Sequence, residues 1–189
     1  MALLFILERR LLIVNRKVRG VGARALGQFA ARAQRAVGIG GEVDVLITSS
    51  AQMRRLNRRF RGKNAATDVL SFLSDCQIHH GDTEPRRVAQ GSSSVSLRLR
   101  GGGRTGDIAI SAEMASRHAR RLGHSAADEM KILILHGLLH LAGYDHETDA
   151  GAMARKEARL RHVLGLPAAL IERAAAHGTR TDSGKRRRS

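Results

Sequence analysis

Four short segments of the chain carry the apolar and often alternating pattern that is typical of β-strands. Leucine, isoleucine and valine supply most of their apolar positions. The segments run from Leu11 to Asn15, Glu42 to Thr48, Thr67 to Phe72 and Asp107 to Ser111. We therefore predict four strands.

Longer segments repeat apolar residues every three or four positions, as one face of a helix requires. The first runs from Ala23 to Val37 and carries arginine and glutamine on the opposite face. Ser50 can cap the second, from Gln52 to about Phe60, because a serine oxygen accepts a backbone N–H of the first turn. The remaining predicted helices are Ala112 to Leu122, Ala126 to Leu141, Asp149 to Leu164 and Pro167 to Ala176.

A chain of 189 residues is long enough for one domain with a sizeable core. We predict this domain over residues 11–164, after an N-terminal extension of residues 1–10. Residues 165–189 are expected to form the last helix and a disordered basic tail. Residues 74–105 contain Pro85, a triple serine and a triple glycine. That composition predicts a flexible insertion, although Val95 to Arg100 could add a short strand.

Basic residues outnumber acidic ones, 33 to 17, which gives a net charge of +16. Such a charge attracts polyanions, among them RNA, DNA and anionic lipid. The single cysteine, Cys76, excludes an intrachain disulfide and a thiolate zinc cluster, and it fits a reducing cytoplasm. The apolar N-terminal run is too short to span a bilayer, so we expect a cytoplasmic protein, with a membrane-surface anchor as the less favoured alternative. Aromatic residues make up 3% of the chain, so base stacking is expected to be minor.

Residues 136–146, HGLLHLAGYDH, place three histidines in an apolar helical stretch. His136 and His140 are four residues apart and therefore share one helix face. Gly143 favours a turn that ends the helix, which allows His146 to return toward the same point. Three imidazoles with an open fourth position are typical of a catalytic zinc site; the alternative is three packed structural histidines. The other histidines show no ligand spacing and are expected at the surface: His79, His80, His118, His124, His162 and His177.

The spacing of the three histidines is also that of the elongated zinc-protease motif. Those proteases carry a glutamate directly after the first histidine as general base, whereas this chain has Gly137 there. Peptide hydrolysis would lack its usual proton acceptor. The residues therefore indicate a metal site with a different substrate.

The stretch HGLLHLAGYDH resembles the signature HGxLHLxGYDH of the YbeY family, which are endoribonucleases of ribosomal RNA maturation. LNRRFRGKNAATDVLSF at residues 56–72 and GDIAIS at residues 106–111 resemble two further motifs of that family. The likeness extends from about Leu11 to Leu164. Leu73 departs from it, because the family usually has proline there, and the link at residues 74–105 is longer than usual.

The resemblance implies an α+β fold in a single domain, with helices packed around a small mixed four-stranded sheet and a metal-containing cleft. It implies that His136, His140 and His146 hold one zinc ion and that Arg61 is the catalytic arginine of the cleft. It also implies processing of the 3′ end of small-subunit ribosomal RNA and a part in ribosome quality control. Single-stranded RNA, the rRNA precursor and the small ribosomal subunit would be the partners.

Elementary chemistry favours the same residues. A phosphodiester transition state accumulates negative charge, which a permanently protonated guanidinium such as that of Arg61 stabilises; Arg61 could also be one solvated charge among several. Asp145 and Glu147 flank the third histidine and could orient an imidazole or transfer a proton. The basic residues expected to contact the RNA backbone are Arg58, Arg59 and Lys63.

These observations predict a zinc-dependent, single-strand-specific endoribonuclease. One alternative is a zinc peptidase, which would need a base other than the missing glutamate. The other is a non-enzymatic RNA- or ribosome-binding module in which the metal is structural. Zinc is the expected ion, although nickel or another divalent cation would accept the same imidazoles.

Overall fold

A five-stranded mixed sheet organises the chain in the computed structural model, which describes residues 3–7, 10–73, 104–146 and 149–167. Strands β2, β3 and β5 run parallel, and the edge strands β1 and β4 run antiparallel to their neighbours in the order β1-β2-β3-β5-β4. The strands are β1 (Leu3–Leu7), β2 (Arg10–Val14), β3 (Glu42–Thr48), β4 (Val69–Leu73) and β5 (Arg104–Ser111).

The predicted number of four strands was wrong because the N-terminal apolar run also joins the sheet. Leu3 pairs with Val14 and Leu7 with Arg10, so β1 and β2 form an antiparallel pair. A short apolar segment satisfies its backbone N–H and C=O groups by pairing, and β2 offers an edge for it. The predicted insertion also ends earlier than expected, since β5 begins at Arg104; residues 74–103, including the alternative strand Val95 to Arg100, lie outside the described residues.

Five helices accompany the sheet within the described residues. The bounds predicted for the first, third and fourth helices are confirmed, whereas the second begins earlier than expected. Its N-cap is Ser49, whose Oγ accepts from Gln52 N at 3.2 Å, while Ser50 N donates to Glu113 Oε2 at 2.7 Å. The helices are α1 (Ala23–Val37), α2 (Ser50–Arg61), α3 (Ala112–Leu122), α4 (Ala126–Leu141) and α5 (Ala152–Leu164).

Helix α5 begins at Ala152 and not at Asp149 as predicted. Asp149 instead prepares the start of the helix: its carboxylate oxygens accept from Gly151 N at 3.0 Å and from Met153 N at 2.7 Å. A carboxylate in this position also interacts favourably with the positive N-terminal end of the helix dipole. The helix predicted from Pro167 to Ala176 lies, beyond its first residue, outside the described part of the chain.

The sheet has a helix layer on each face, which confirms the α+β class. Val45, Ile47 and Ile108 point to one face and form the main core with α1 and α4. Leu70 and Ala109 point to the other face, where they pack against Met53 of α2. Side chains of successive strand residues alternate between faces, so α2 and α4 lie on opposite sides of β4 and β5.

Helices α2 and α4 nevertheless end beside the same end of the edge strand β4. The ring of Phe60, in the last turn of α2, lies 5.0 Å from that of Phe72. On the other face, a Cβ added at Gly106 would approach Leu141 Cδ2, at the end of α4, to 2.8 Å, and Gly106 pairs with Leu73. Among the described residues, no helix has the length and apolar content needed to cross a bilayer.

Candidate metal centre

Three histidines converge at the C-terminal end of α4. His136 and His140 occupy successive turns of the helix, and His146 follows shortly after its end. One ring nitrogen from each lies within 4.8 Å of the other two, and Nε2 of His140 lies 3.1 Å from Nε2 of His136. The structure therefore brings together the three residues that the sequence spacing singled out.

The turn after α4 returns His146 to the cluster. Gly143 has a φ of +87°, in the left-handed region that glycine adopts without strain. Its N–H donates to His140 O at 3.0 Å, and Tyr144 N donates to Leu139 O at 3.1 Å. Tyr144 also packs against the buried cluster that contains Leu135 and Leu139. The predicted role of Gly143 in ending the helix is thus confirmed.

His136 is held by a buried acid on α5 that the sequence analysis missed. Nδ1 of His136 lies 3.0 Å from Oε2 of Glu157, whose exposed fraction is 3%. Arg161, with an exposed fraction of 2%, donates through Nε to Oε1 of the same carboxylate at 2.9 Å. Both carboxylate oxygens therefore have partners.

The charge of Glu157 fixes which nitrogen of His136 faces the cluster. Burial alone raises the pKa of Glu157, but the hydrogen bond from His136 and the charge of Arg161 outweigh it and hold the pKa below its ordinary value of 4.5. An ionised carboxylate only accepts hydrogen bonds, so Nδ1 of His136 is the donor. The lone pair of the neutral ring is then on Nε2, on the side of His140. Carboxylates orient metal-binding histidines in this way.

His140 is neutral at pH 7. Burial, followed by the electrostatic effect of the neighbouring His136 and His146, lowers the pKa of His140 from 6.5 to about 4. Metal ions bind the neutral imidazole, so this shift favours coordination. Two zinc ligands at about 2.0–2.1 Å in a tetrahedral site stand roughly 3.3 Å apart, close to the 3.1 Å between the Nε2 atoms. The donor set therefore fits a divalent cation.

Gly137 is required by the packing of α4 on the sheet. A Cβ at this position would lie 2.8 Å from Ile108 Cγ2 and 3.1 Å from Ser71 Oγ, closer than side chains normally approach. Ser71 Oγ also donates to Gly137 O at 3.3 Å. The position that holds the general base in zinc proteases therefore faces β4 and β5 here, and no longer side chain fits.

Residues 12–165 match the family model described as endoribonuclease YbeY. The chain belongs to the YbeY family. A protein named endoribonuclease YbeY from Koribacter versatilis is 44% identical over 94% of this chain and 100% of its own length. Another of the same name from Solibacter usitatus is 46% identical over 79% of this chain and 84% of its own length. A solved protein from Thermotoga maritima is 22% identical, with a TM-score of 0.48 over 93% of this chain and 99% of its own.

Arg61, the predicted catalytic arginine, is the last residue of α2 and is exposed. Neither a hydrogen bond nor an ion pair links it to the three described histidines, and α2 lies on the opposite face of the sheet. Both helices reach the same end of β4, α2 through Phe60 and α4 through Leu141. Other exposed basic residues lie within three positions of Arg61 in the sequence: Arg58, Arg59 and Lys63.

Of the two acidic residues that flank the third histidine, the structure describes Asp145. Asp145 is half-buried, and its charge acts on His140 in the direction that raises the pKa of that ring. Glu147 lies outside the described residues. Leu73, the position that departs from the motif described above, ends β4 with an exposed fraction of 67%.

The side chain of His124 is largely buried, contrary to the prediction of a surface residue, whereas His118 is half-buried. Nε2 of His124 lies 2.5 Å from Oε2 of Glu129, whose side chain is fully buried near the start of α4. Nδ1 of His118 lies 3.7 Å from Oε1 of Glu129 and 3.7 Å from Oδ2 of Asp68. A buried carboxylate needs such partners, because burial without them costs several kcal/mol. His162 is exposed as predicted; His79, His80 and His177 lie outside the described residues.

Proposed function

We propose that this protein is a zinc-dependent, single-strand-specific endoribonuclease of rRNA maturation and ribosome quality control that acts at the 3′ end of small-subunit RNA. The observation that carries the proposal is the convergence of three imidazoles, with ligand atoms within 4.8 Å of one another, in a member of the YbeY family. The names of the Koribacter and Solibacter relatives support an RNA substrate. The proposed place of action is the small ribosomal subunit in the cytoplasm.

In this proposal His136, His140 and His146 hold one zinc ion per chain. When bound, the ion supplies Lewis acidity that polarises a phosphoryl oxygen and acidifies water. The described residues contribute a set of three donors, which is typical of catalytic zinc sites and not of closed structural ones. Glu157 keeps the Nε2 lone pair of His136 directed at the cluster.

Arg61 acts on the phosphate from the other side of β4. Because α2 and α4 end beside the same end of this edge strand, an RNA strand that crosses the edge can contact both helices. The guanidinium of Arg61 then stabilises the negative charge that builds up on the phosphate. Asp145, next to His146, is the first candidate to accept or pass on a proton, and Glu147 is the second.

The RNA-binding surface is the exposed basic side of α2 and of the turn after it. The sequence from Ser49 to Asn64 contains six basic residues and no acid. Arg58, Arg59 and Lys63 are exposed and would contact phosphates. Binding through phosphates is predicted to weaken steeply with salt, because each contact releases condensed counterions.

Cleavage of a single-stranded RNA by the purified protein tests the proposal. We expect chelation to abolish cleavage, and His140→Ala to lower kcat by at least about 100-fold, the scale that one metal-activating group contributes. His162→Ala, which removes an exposed histidine from α5, is the matched control and should leave cleavage unchanged. Normal cleavage by His140→Ala would refute the site.

The contribution of Arg61 is separated from simple RNA binding by kinetics. Loss of a contact made only in the transition state lowers kcat, whereas loss of a uniform contact raises KM with kcat unchanged. We expect Arg61→Ala to lower kcat about 100-fold and Lys63→Ala to act mainly on KM. Arg159→Ala, an exposed arginine of α5, is the control for loss of one positive charge. An unchanged kcat in Arg61→Ala would remove it from the catalytic step.

A peptidase function finds no support in the packing, because Gly137 leaves no room for a base. The non-enzymatic alternative makes a different prediction for metal removal. Removal of a structural ion would unfold the domain, whereas removal of a catalytic ion would leave a folded but inactive domain. Circular dichroism of the chelated protein, measured beside its RNA cleavage, distinguishes the two.

A further inference from the structure

Phe60 presents its ring to solvent in the middle of the basic surface. Its exposed fraction is 55%, and the other large hydrophobic side chains exposed among the described residues are Leu73 and Val163. Hydration of an exposed aromatic ring is unfavourable. Neighbouring residues contact this ring. The ring packs against Phe72 at a centroid distance of 5.0 Å and an interplanar angle of 56°.

Phe72 ties Phe60 to the body of the domain. It packs on the buried cluster of Met53, Leu70 and Ala109, which joins α2 to the sheet. The guanidinium of Arg59 lies 5.2 Å from the centroid of Phe60, a cation–π contact that further restricts the ring. Phe60 therefore has one contact with the body of the domain, through Phe72, and one with Arg59.

The charge around Phe60 selects the kind of ligand. Arg58, Arg59, Arg61 and Lys63 lie within three residues of it in the sequence and are all exposed, and no acid occurs between Ser49 and Asn64. Cations in this arrangement attract a polyanion, and a flat ring among them suits a base, since every nucleobase has a π-face. A duplex keeps its bases stacked inside, so only unpaired nucleotides can use such a ring.

We propose that Phe60 is a stacking subsite for one unpaired base of the RNA substrate, beside the phosphate contacts of α2. The inference rests on the proposed function and deepens it, because it supplies a physical reason for single-strand specificity. It also revises the expectation that the low aromatic content makes stacking minor: one ring in the right place is sufficient. The subsite lies at the end of β4 that the histidine cluster shares.

A tryptophan reporter tests the proposal directly, because the natural chain contains no tryptophan. Phe60→Trp places one fluorophore in the subsite, and Val163→Trp places one on α5 as the matched control. Each full-length variant is titrated with single-stranded oligouridine, with an RNA duplex and with polyglutamate. We expect oligouridine alone to quench the indole fluorescence of Phe60→Trp, and we expect the fluorescence of Val163→Trp to stay unaffected.

Affinity measurements complete the test. Phe60→Leu keeps an apolar contact with Phe72 but removes the flat face. We expect it to bind oligouridine about 5- to 150-fold more weakly, the range that one base–aromatic stack contributes. The slope of log affinity against log salt should stay unchanged, because no charge is lost. Phe60→Trp should restore or exceed the natural affinity.

Three results would overturn the subsite: no quenching of Phe60→Trp at saturating oligouridine, equal affinity of Phe60→Leu and the natural chain, or stronger quenching by polyglutamate, which would indicate an acidic protein partner. The proposed function is judged separately by cleavage of the same RNA. Quenching without cleavage by the metal-loaded natural protein supports the subsite and refutes the endoribonuclease. Cleavage without quenching does the reverse.

Discussion

Replacing Glu157 by glutamine tests how the metal centre is built. The substitution keeps the size of the side chain but removes the charge that fixes the Nδ1 proton of His136. It also removes the negative charge that accepts from the guanidinium of Arg161, whose exposed fraction is 2%. We therefore expect two separable effects, one on metal affinity and one on stability.

The expected sizes follow from burial. Loss of a carboxylate that orients a metal-binding histidine typically weakens affinity about 10- to 100-fold, or about 1.4–2.7 kcal/mol. An unpaired charge in a buried pair costs about 3–5 kcal/mol, compared with about 0–1 kcal/mol at the surface. Glu157 and Arg161 are both buried, so the larger cost applies to this pair. A domain with a free energy of unfolding of about 10 kcal/mol, the middle of the usual range, would remain folded.

A double variant separates the two effects. Glu157→Gln/Arg161→Met removes both charges, so we expect the free energy of unfolding of the metal-free protein to recover most of its loss. Zinc affinity should stay weak, because His136 still lacks its carboxylate. Urea unfolding measures the first quantity, and competition with a chromophoric chelator measures the second. Zinc binding by Glu157→Gln within about threefold of the natural protein, well short of the expected loss, would refute the orienting role.

Two further predictions concern helix α4. Unfolded His140 takes up a proton near pH 6.5 but folded His140 only near pH 4, so the metal-free protein should lose stability as the pH falls through this window. Solvent screening of the half-buried ring limits the loss to about 1–2 kcal/mol. The free energy of unfolding of His140→Asn, measured with urea, should change less with pH across this window than that of the natural chain. An equal pH dependence of the two proteins would contradict the shift. Gly137→Ala should destabilise the protein by about 1–3 kcal/mol through its contact with Ile108, despite the better helix propensity of alanine; an unchanged urea midpoint would show that α4 can move away.

Local patterns were sufficient for most of the helices. The apolar period of α1, α3 and α4 continues to their ends, and a glycine follows α1 and α3 directly. The cap of α2 was missed because Ser49 and Ser50 are chemically equal in sequence. The choice between them depends on Glu113, which takes the N–H of Ser50 from 63 residues away. Strand β1 was missed for a similar reason, because its strand conformation depends on pairing with β2.

The candidate site was predictable as far as it is local. Three histidines and Gly143 lie within one helix and its turn, so spacing alone brought them together. Glu157 comes from a second helix, 21 residues after His136. One signal was available: Glu157 and Arg161 lie on the face of α5 that also carries the buried Met153 and Leu160. A charged pair on an apolar helix face indicates a buried partner, here the histidine.

The most direct test of the central claim is a zinc titration of the metal-free protein with cleavage of single-stranded RNA measured at each point. We expect cleavage to rise in proportion to bound zinc and to stop rising at one ion per chain. His136→Ala should bind zinc far more weakly and remain inactive over the same range. Full cleavage without metal, or natural zinc affinity in His136→Ala, would contradict the assignment of the three histidines.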